Sequence, residues 1–269
     1  MRYAEFDPPA GLAAHVRCAW TFESEASIAP ERIVPDGRPE LIVHFGAPYA
    51  ELAADGRLQV QPQALFAGQV TRPLVLQCAG PAGVVGIRFH PEGARAFLGR
   101  AMREATDLRL DVDTLWPGEG ASLAHGVQQA RDDAARIEVA TAFVARRIAA
   151  SNQPPDALVR ACVRRIESAN GAVAVEALLA DCEIGRRQLE RRFGDAVGIG
   201  PALLAAVFRL RAVFDVLQRD GSRPWTEAAL AAGYYDQSHF IRDFRRFVGC
   251  SPSEFFRSGS ELAGALVDA

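Results

Sequence analysis

Side chains able to read nucleic acid are concentrated in one stretch of this chain, Pro224 to Phe255, PWTEAALAAGYYDQSHFIRDFRRFVGCSPSEF. Arg bonds guanine with two parallel donors, Gln pairs with adenine, and Ser or His reaches bases or phosphates. Gln237, Ser238, His239, Arg242, Arg245 and Arg246 supply these groups. Phe240, Phe244 and Phe247 recur at +4 and +3, which lays an apolar stripe on the opposite side of a helix. The plainer alternative is a solvated polar face on an ordinary packed helix. The elements that would hold the set come just before it. Trp225 to Ala232 is Ala-rich and helix-forming. Gly233 turns at positive φ without steric cost, and Asp236 is a good N-cap. Helix, glycine turn and a second helix with an apolar back make a helix-turn-helix.

The string GYYDQSHFIRDFRRFVGCSP closely resembles the second helix-turn-helix signature of the AraC/XylS family of bacterial transcription regulators. That signature runs Gly, aromatic, a short link, Gln-Ser-His-Phe, Arg, Phe and Gly-x-x-Pro. Ala228 departs from it, since the family usually has Ile there. Trp225, one turn earlier, is a candidate to supply the missing volume.

The chain also contains an internal repeat. A shift of 51 residues sets Leu189 and Phe193 on Phe240 and Phe244, Arg191 on Arg242, Gly198 on Gly249 and Pro201 on Pro252. The family resemblance implies two helix-turn-helix units joined by a long helix, here Pro201 to Gln218. By the same resemblance, Arg187, Glu190 and Arg191 would face bases from the first unit, and Gln237, Ser238, His239 and Arg242 from the second. Arg186, Arg192, Arg245 and Arg246 would meet phosphate, with a neighbouring carboxylate as the alternative for Arg186 and Arg192. Glu190 could equally pair with an Arg. The first unit departs from the pattern at Gly185, where a Ser usually caps, at Glu183, where a small residue is common, and at Leu179.

Charge is distributed in keeping with this reading. The chain of 269 residues carries a net −3 and has no lysine, every basic residue being Arg. Ile184 to Arg246 holds 11 Arg against 7 acids, whereas the segment before Ala157 holds 15 against 19. The local excess marks an electrostatic footprint. The five cysteines are scattered and none stands in C-x-x-C spacing. They read as reduced thiols, and no zinc site is expected. No apolar run approaches the ~20 residues that span a bilayer, and no signal pattern opens the chain. A cytoplasmic protein is expected.

The first half reads as short antiparallel strands, barrel- or sandwich-like, followed by helices. The strands are His15–Glu23, a pair within Arg32–Gly46 around a Pro-Asp-Gly turn, Ala64–Gly68, Leu74–Cys78 and Val84–Phe89. Met1–Leu12 reads as irregular. Helices follow at Glu92–Leu98, Ser122–Ala130 and Ala134–Ala150, the last either core or a dimer surface. Helices in the second half are expected at Ala157–Ser168, Val175–Ala180, Gly185–Phe193 and Pro201–Gln218. Ser151–Pro155 suits a boundary.

The expected layout is a regulatory domain over 1–151, an all-α DNA-binding domain over 156–258 and a tail over 259–269. The N-terminal half resembles the small sensing domains that precede some AraC-type DNA-binding domains, through VRCAWTFE, ERIVPDGRPELIVHFG, LFAGQVTRPL and VVGIRFHPEGARAFL. That resemblance implies regulation without naming a ligand. An effector pocket would be lined by Trp20, Arg38, His44, Phe66, Arg72 and Phe89; core packing and ordinary ion pairs are the alternative for each. A metal-dependent enzyme in this half is the competing class, with His44 and His90 as its ligands if they meet. The partners implied are an operator in duplex DNA, RNA polymerase if the protein activates, an unknown small-molecule effector and, optionally, a second copy. No membrane, cofactor or metal is expected.

Overall fold

The apolar residues of Ala82–Phe89 are buried on both sides, and the N-terminal half is built around them. The computed structural model describes residues 1–53, 55–151, 153–220 and 224–257; the expected tail lies outside them. The strands are β1 (Arg2–Phe6), β2 (Val16–Ser24), β3 (Ile28–Ile33), β4 (Glu40–His44), β5 (Ala50–Leu52), β6 (Leu58–Val60), β7 (Ala64–Ala67), β8 (Leu74–Cys78), β9 (Ala82–Phe89) and β10 (Arg109–Asp111). They form an antiparallel six-stranded sheet in the order β1-β2-β9-β4-β7-β10 and a four-stranded sheet in the order β3-β8-β5-β6.

Helices α1 (Ala94–Leu98), α2 (Val112–Leu115), α3 (Glu119–Gln129) and α4 (Asp133–Ser151) accompany the larger sheet. Leu41, Val43, Phe66, Val85, Ile87 and Phe89 share one core with Phe97, Leu123, Ile137 and Phe143. Residues on α4 therefore serve the core. Met1–Leu12 is not irregular. Its first residues form β1, paired from Arg2↔Glu23 to Phe6↔Ala19 and clipped by an Arg2–Glu23 ion pair at 2.8 Å. The partner strand supplies what five residues of weak pattern do not show. The short strands β5, β6 and β10 escape sequence detection for the same reason.

The second half is helical: α5 (Ala157–Ser168), α6 (Val175–Cys182), α7 (Arg186–Ala196), α8 (Pro201–Arg219), α9 (Trp225–Ala231), α10 (Gln237–Val248) and α11 (Pro252–Arg257). The internal repeat is a repeat of burial. Leu189, Phe193, Ala196 and Val197 are buried, and so are Phe240, Phe244, Phe247 and Val248, each 51 positions later. Both stripes end at a left-handed glycine, Gly198 at φ +97° and Gly249 at φ +82°. Trp225 stacks on Phe240 at 5.4 Å and packs against the core that holds Ala228.

Helix α8 belongs to both cores. Leu204, Ala205 and Phe208 pack with α5, α6 and α7. Val207, Leu210, Val213 and Phe214 pack with α9, α10 and α11. Phe193→Ala and Phe244→Ala should each remove about 3–5 kcal/mol of unfolding free energy by leaving a cavity. Urea titration of each variant checks this, and a loss below 1 kcal/mol at either site would contradict the packing.

Candidate nucleic-acid interface

The reading surfaces of α7 and α10 follow from what their buried stripes leave outside. Asp236 caps α10, its carboxylate accepting from the His239 amide at 2.7 Å. Gly185 leads into α7 with no side-chain cap. The turn before it is made by Glu183 at φ +51°, a left-handed conformation that non-glycine residues seldom adopt. Because the buried positions match, Arg191 and Arg242 stand at the same angle from the buried stripe of their own helix. Both are exposed, as are Arg187, Gln237, Ser238, Arg245 and Arg246.

Arg186 and Arg192 take the neighbouring carboxylates that were the alternative for them, and Glu190 and His239 stand off the exposed face. Arg192 is half-buried and grips Asp156 with two bonds of 2.6 and 2.8 Å. Asp156 also caps α5, accepting from the Leu158 and Val159 amides at 3.1 Å each. Burial alone would raise the Asp156 carboxyl, but Arg192 and these amides outweigh it and hold it below the ordinary carboxylate range. Arg186 pairs with the Glu176 carboxylate at the surface. Glu190 is half-buried, its carboxylate lying against Gly200 in the space a Cβ would take. That position at the first turn of α8 suits an anion, so Glu190 is turned from the exposed face where a base reader would stand.

His239 is likewise drawn inward. Its Nε2 lies 3.4 Å from Arg209 Nη1 and 3.6 Å from the Asp243 carboxylate, and its ring meets Tyr234 edge-on at 5.0 Å. It lines a cleft of about 460 Å³ between the two units, with Val175, Leu203, Arg209, Asp243 and Arg246. Burial pushes the Asp243 carboxyl up, against the pull of His239 and the nearby arginines. Arg209 also donates to the Gly171 carbonyl at 2.8 Å and lies over the Tyr234 ring at 5.4 Å. It therefore ties the first unit to the second. Nothing in the spacing of the sequence singled it out.

The six residues expected to line an effector pocket are engaged in different ways. Phe66 and Phe89 are wholly buried and touch each other at 6.1 Å within the core. Trp20 donates to Glu40 at 3.1 Å, and Arg72 is exposed. Arg38 faces the helical domain, 3.0 Å from Glu167 and 5.4 Å from the centre of the Phe208 ring. His44 is buried, its Nε2 3.2 Å from Gln61 Oε1, and burial lowers its pKa to about 4. His44 and His90 do not meet. His44 pairs with Val84 at one end of β9, whereas His90 follows the other end, about 20 Å away at the rise of a strand. Among the described residues no three His, Cys, Asp or Glu gather as metal ligands. No single described helix is long and apolar enough to cross a membrane.

Comparison with known proteins places residues 178–258 in a family described as a helix-turn-helix domain. Residues 4–111 match a domain family of unknown function, DUF6597. Three solved structures of ToxT from Vibrio cholerae resemble the chain at 10% identity. The 1.65 Å structure covers 89% of this chain and 97% of its own, with a TM-score of 0.47. The form bound to (E)-4-(8-methylnaphthalen-1-yl)but-3-enoic acid covers 89% and 98%, with a TM-score of 0.46. The form bound to an unsaturated fatty acid covers 87% and 92%, with a TM-score of 0.43. No curated protein matches.

Two helix-turn-helix units around one shared helix define a DNA-binding domain. Residues 178–258 belong to the helix-turn-helix domain family.

Asp156→Ala should lower stability by about 0.5–2 kcal/mol through loss of the cap, and further through the stranded Arg192. The Asp156 contribution is present above its ordinary pKa of 3.8 and is lost as pH falls through the depressed folded value. Urea titrations should therefore show the wild-type advantage in full at neutral pH and shrinking as the pH is lowered below 3.8.

Proposed function

We propose that this chain is a transcription regulator of the AraC type, which binds a two-part operator by setting α7 and α10 into successive major-groove turns on one side of duplex DNA. The observation that carries the reading is the matched burial of the two helices, which leaves Arg191 and Arg242 exposed at equivalent positions. Helix α8 has 19 residues, so it is about 28 Å long. Neighbouring major-groove turns lie ~34 Å apart, close to the span that such a rod sets. Arg187, Arg191, Gln237, Ser238 and Arg242 read bases; Arg245 and Arg246 hold phosphates. Arg192 acts through Asp156, as a brace for α7. The protein works in the cytoplasm, where its operator is.

Control by the N-terminal domain is part of the proposal, and the route is the loop Val34–Arg38. Val34 is buried in the core of α8, α9 and α10. Gly37, at φ +79°, presses so close to α8 that a Cβ would fall 3.1 Å from Leu204 Cδ1. Asp36 lies 3.9 Å from the buried Arg88 and 3.6 Å from Arg211 of α8. Arg32 donates to the Val248 carbonyl at the end of α10. At the first unit, Thr106 Oγ1 donates to the Gly198 carbonyl at 2.8 Å, and Arg103 pairs with Asp195. An effector or partner that shifts this loop acts on the ends of the two reading helices through these contacts.

Selection of bound sequences from random duplex DNA should return two conserved elements about one helical turn apart. Against the selected site, Arg191→Ala and Arg242→Ala should each cost ~1–3 kcal/mol and relax base preference in different halves. Arg246→Ala should weaken all duplexes alike and reduce the salt slope by about one. Unchanged operator affinity for Arg242→Ala would overturn the groove assignment. Arg38→Ala should weaken the two-part site about fivefold or more while leaving a single half-site unaffected, the range expected of coupled domains. Equal loss on both substrates would remove the loop from the mechanism.

A further inference from the structure

Two cysteines of the first unit stand in contact, which their separation in sequence conceals. Cys162 lies on α5 and Cys182 is the last residue of α6. Their Sγ atoms are 3.3 Å apart and share a hydrogen bond. Cys162 is 3% exposed, whereas Cys182 is half-buried. Arg192 of α7 stands near enough to both sulfurs to interact with them electrostatically, and Arg165 near enough to Cys162. Cys18 and Cys78 are buried in the N-terminal domain, and Cys250 lies beyond α10.

We propose that Cys162 and Cys182 form an oxidation site for hydroperoxides, and that the disulfide made there weakens the grip of the first helix-turn-helix unit on DNA. The second clause rests on the proposed reading of α7; the first does not.

The half-exposed Cys182 is the sulfur that a peroxide reaches. Its proton leaves to solvent, and the thiolate attacks the terminal peroxide oxygen. The O–O bond breaks, and the departing oxygen takes up a proton to become an alcohol, or water from hydrogen peroxide. Cys182 is now a sulfenic acid, oxidised by two electrons as the peroxide is reduced. The Cys162 sulfur then attacks the Cys182 sulfur. The S–O bond breaks, and hydroxide leaves with the Cys162 proton as water. In sum, two thiols and one hydroperoxide give one disulfide, one alcohol and one water. Burial and the hydrogen bond to Cys182 push the Cys162 thiol up to about 12, which keeps it protonated until the sulfenic acid forms beside it. A cytoplasmic disulfide of this kind is transient and suited to sensing.

The bond acts on DNA reading through geometry. A disulfide holds its sulfurs about 2.05 Å apart, so the two Sγ atoms, 3.3 Å apart in the reduced form, must approach each other and draw the end of α6 and α5 together. The residue after Cys182 is Glu183, already in the left-handed region at φ +51°. Only Ile184 and Gly185 then separate it from α7. The shift is carried directly into the start of α7, where Arg187 and Arg191 stand.

The test uses the full-length protein with a slight excess of hydrogen peroxide. Free thiols should fall from five to three. Trypsin without reductant should release Ala161–Arg164 joined to Ile166–Arg186. Affinity for the selected operator should fall about tenfold and return with dithiothreitol. Cys182→Ala and Cys182→Ser should keep the reduced affinity in peroxide. A Cys250→Ser variant should respond as the wild type does, which excludes a bond made through Cys250. Absence of the joined peptide overturns the proposal, as does a joined peptide with unchanged operator affinity. If the reduced protein binds no duplex, the function reading fails, while the joined peptide still reports on the oxidation site.

Discussion

The burial of α8 on two sides at once is the constraint on which the rest depends. Turns of one helix alternate between two cores, Leu204 and Phe208 entering the first, Val207, Leu210 and Phe214 the second. Neither unit can rotate about α8 without withdrawing large side chains from its core, at a cost of several kcal/mol. A DNA-reading device needs this stiffness, since the spacing of the groove turns is fixed by the DNA. Arg209 adds a polar tie across the cleft, holding the Gly171 carbonyl on one side and contacting Tyr234 and His239 on the other.

The same rod is where the two domains meet. Val34 to Arg38 lies along α8, and the contacts of Arg32 and Thr106 reach the ends of both recognition helices. The N-terminal sheet is therefore a fixed neighbour of the reading surface. Its link to α8 passes through Asp36, which also faces the buried Arg88. Arg88 is itself held by Glu40 at 2.8 Å. Buried ion pairs of this sort tolerate the loss of one partner poorly, so a change at the sheet is felt at the loop.

Two interactions brace the first unit against α5, and they differ in kind. The Asp156–Arg192 pair responds to protons, and the Cys162–Cys182 contact to oxidants. Both act on the entry to or the body of α7. The second unit has Asp236 as a hydrogen-bonding cap, whereas Gly185 offers the first unit none. This asymmetry makes α7 the more adjustable of the two helices.

The sequence by itself determined the helical domain, its repeat and its exposed arginines. Those features are local: apolar spacing, caps and left-handed turns are properties of a few neighbouring residues. It also placed the strands β2, β4, β7, β8 and β9. It did not show β1, whose five residues carry no clear alternation, nor the three-residue β5, β6 and β10, which exist only by virtue of the strand they pair with. Nor did it show that Glu190 and His239 turn inward, or which carboxylate Arg192 finds, because helical spacing gives an angle on a wheel and not the partner a flexible side chain meets. Nor did it show the neighbours that Trp20, Arg38 and His44 find, namely Glu40, Glu167 and Gln61. Only the tertiary structure decides which side chains converge, since convergence depends on strand register and on how one domain lies against the other.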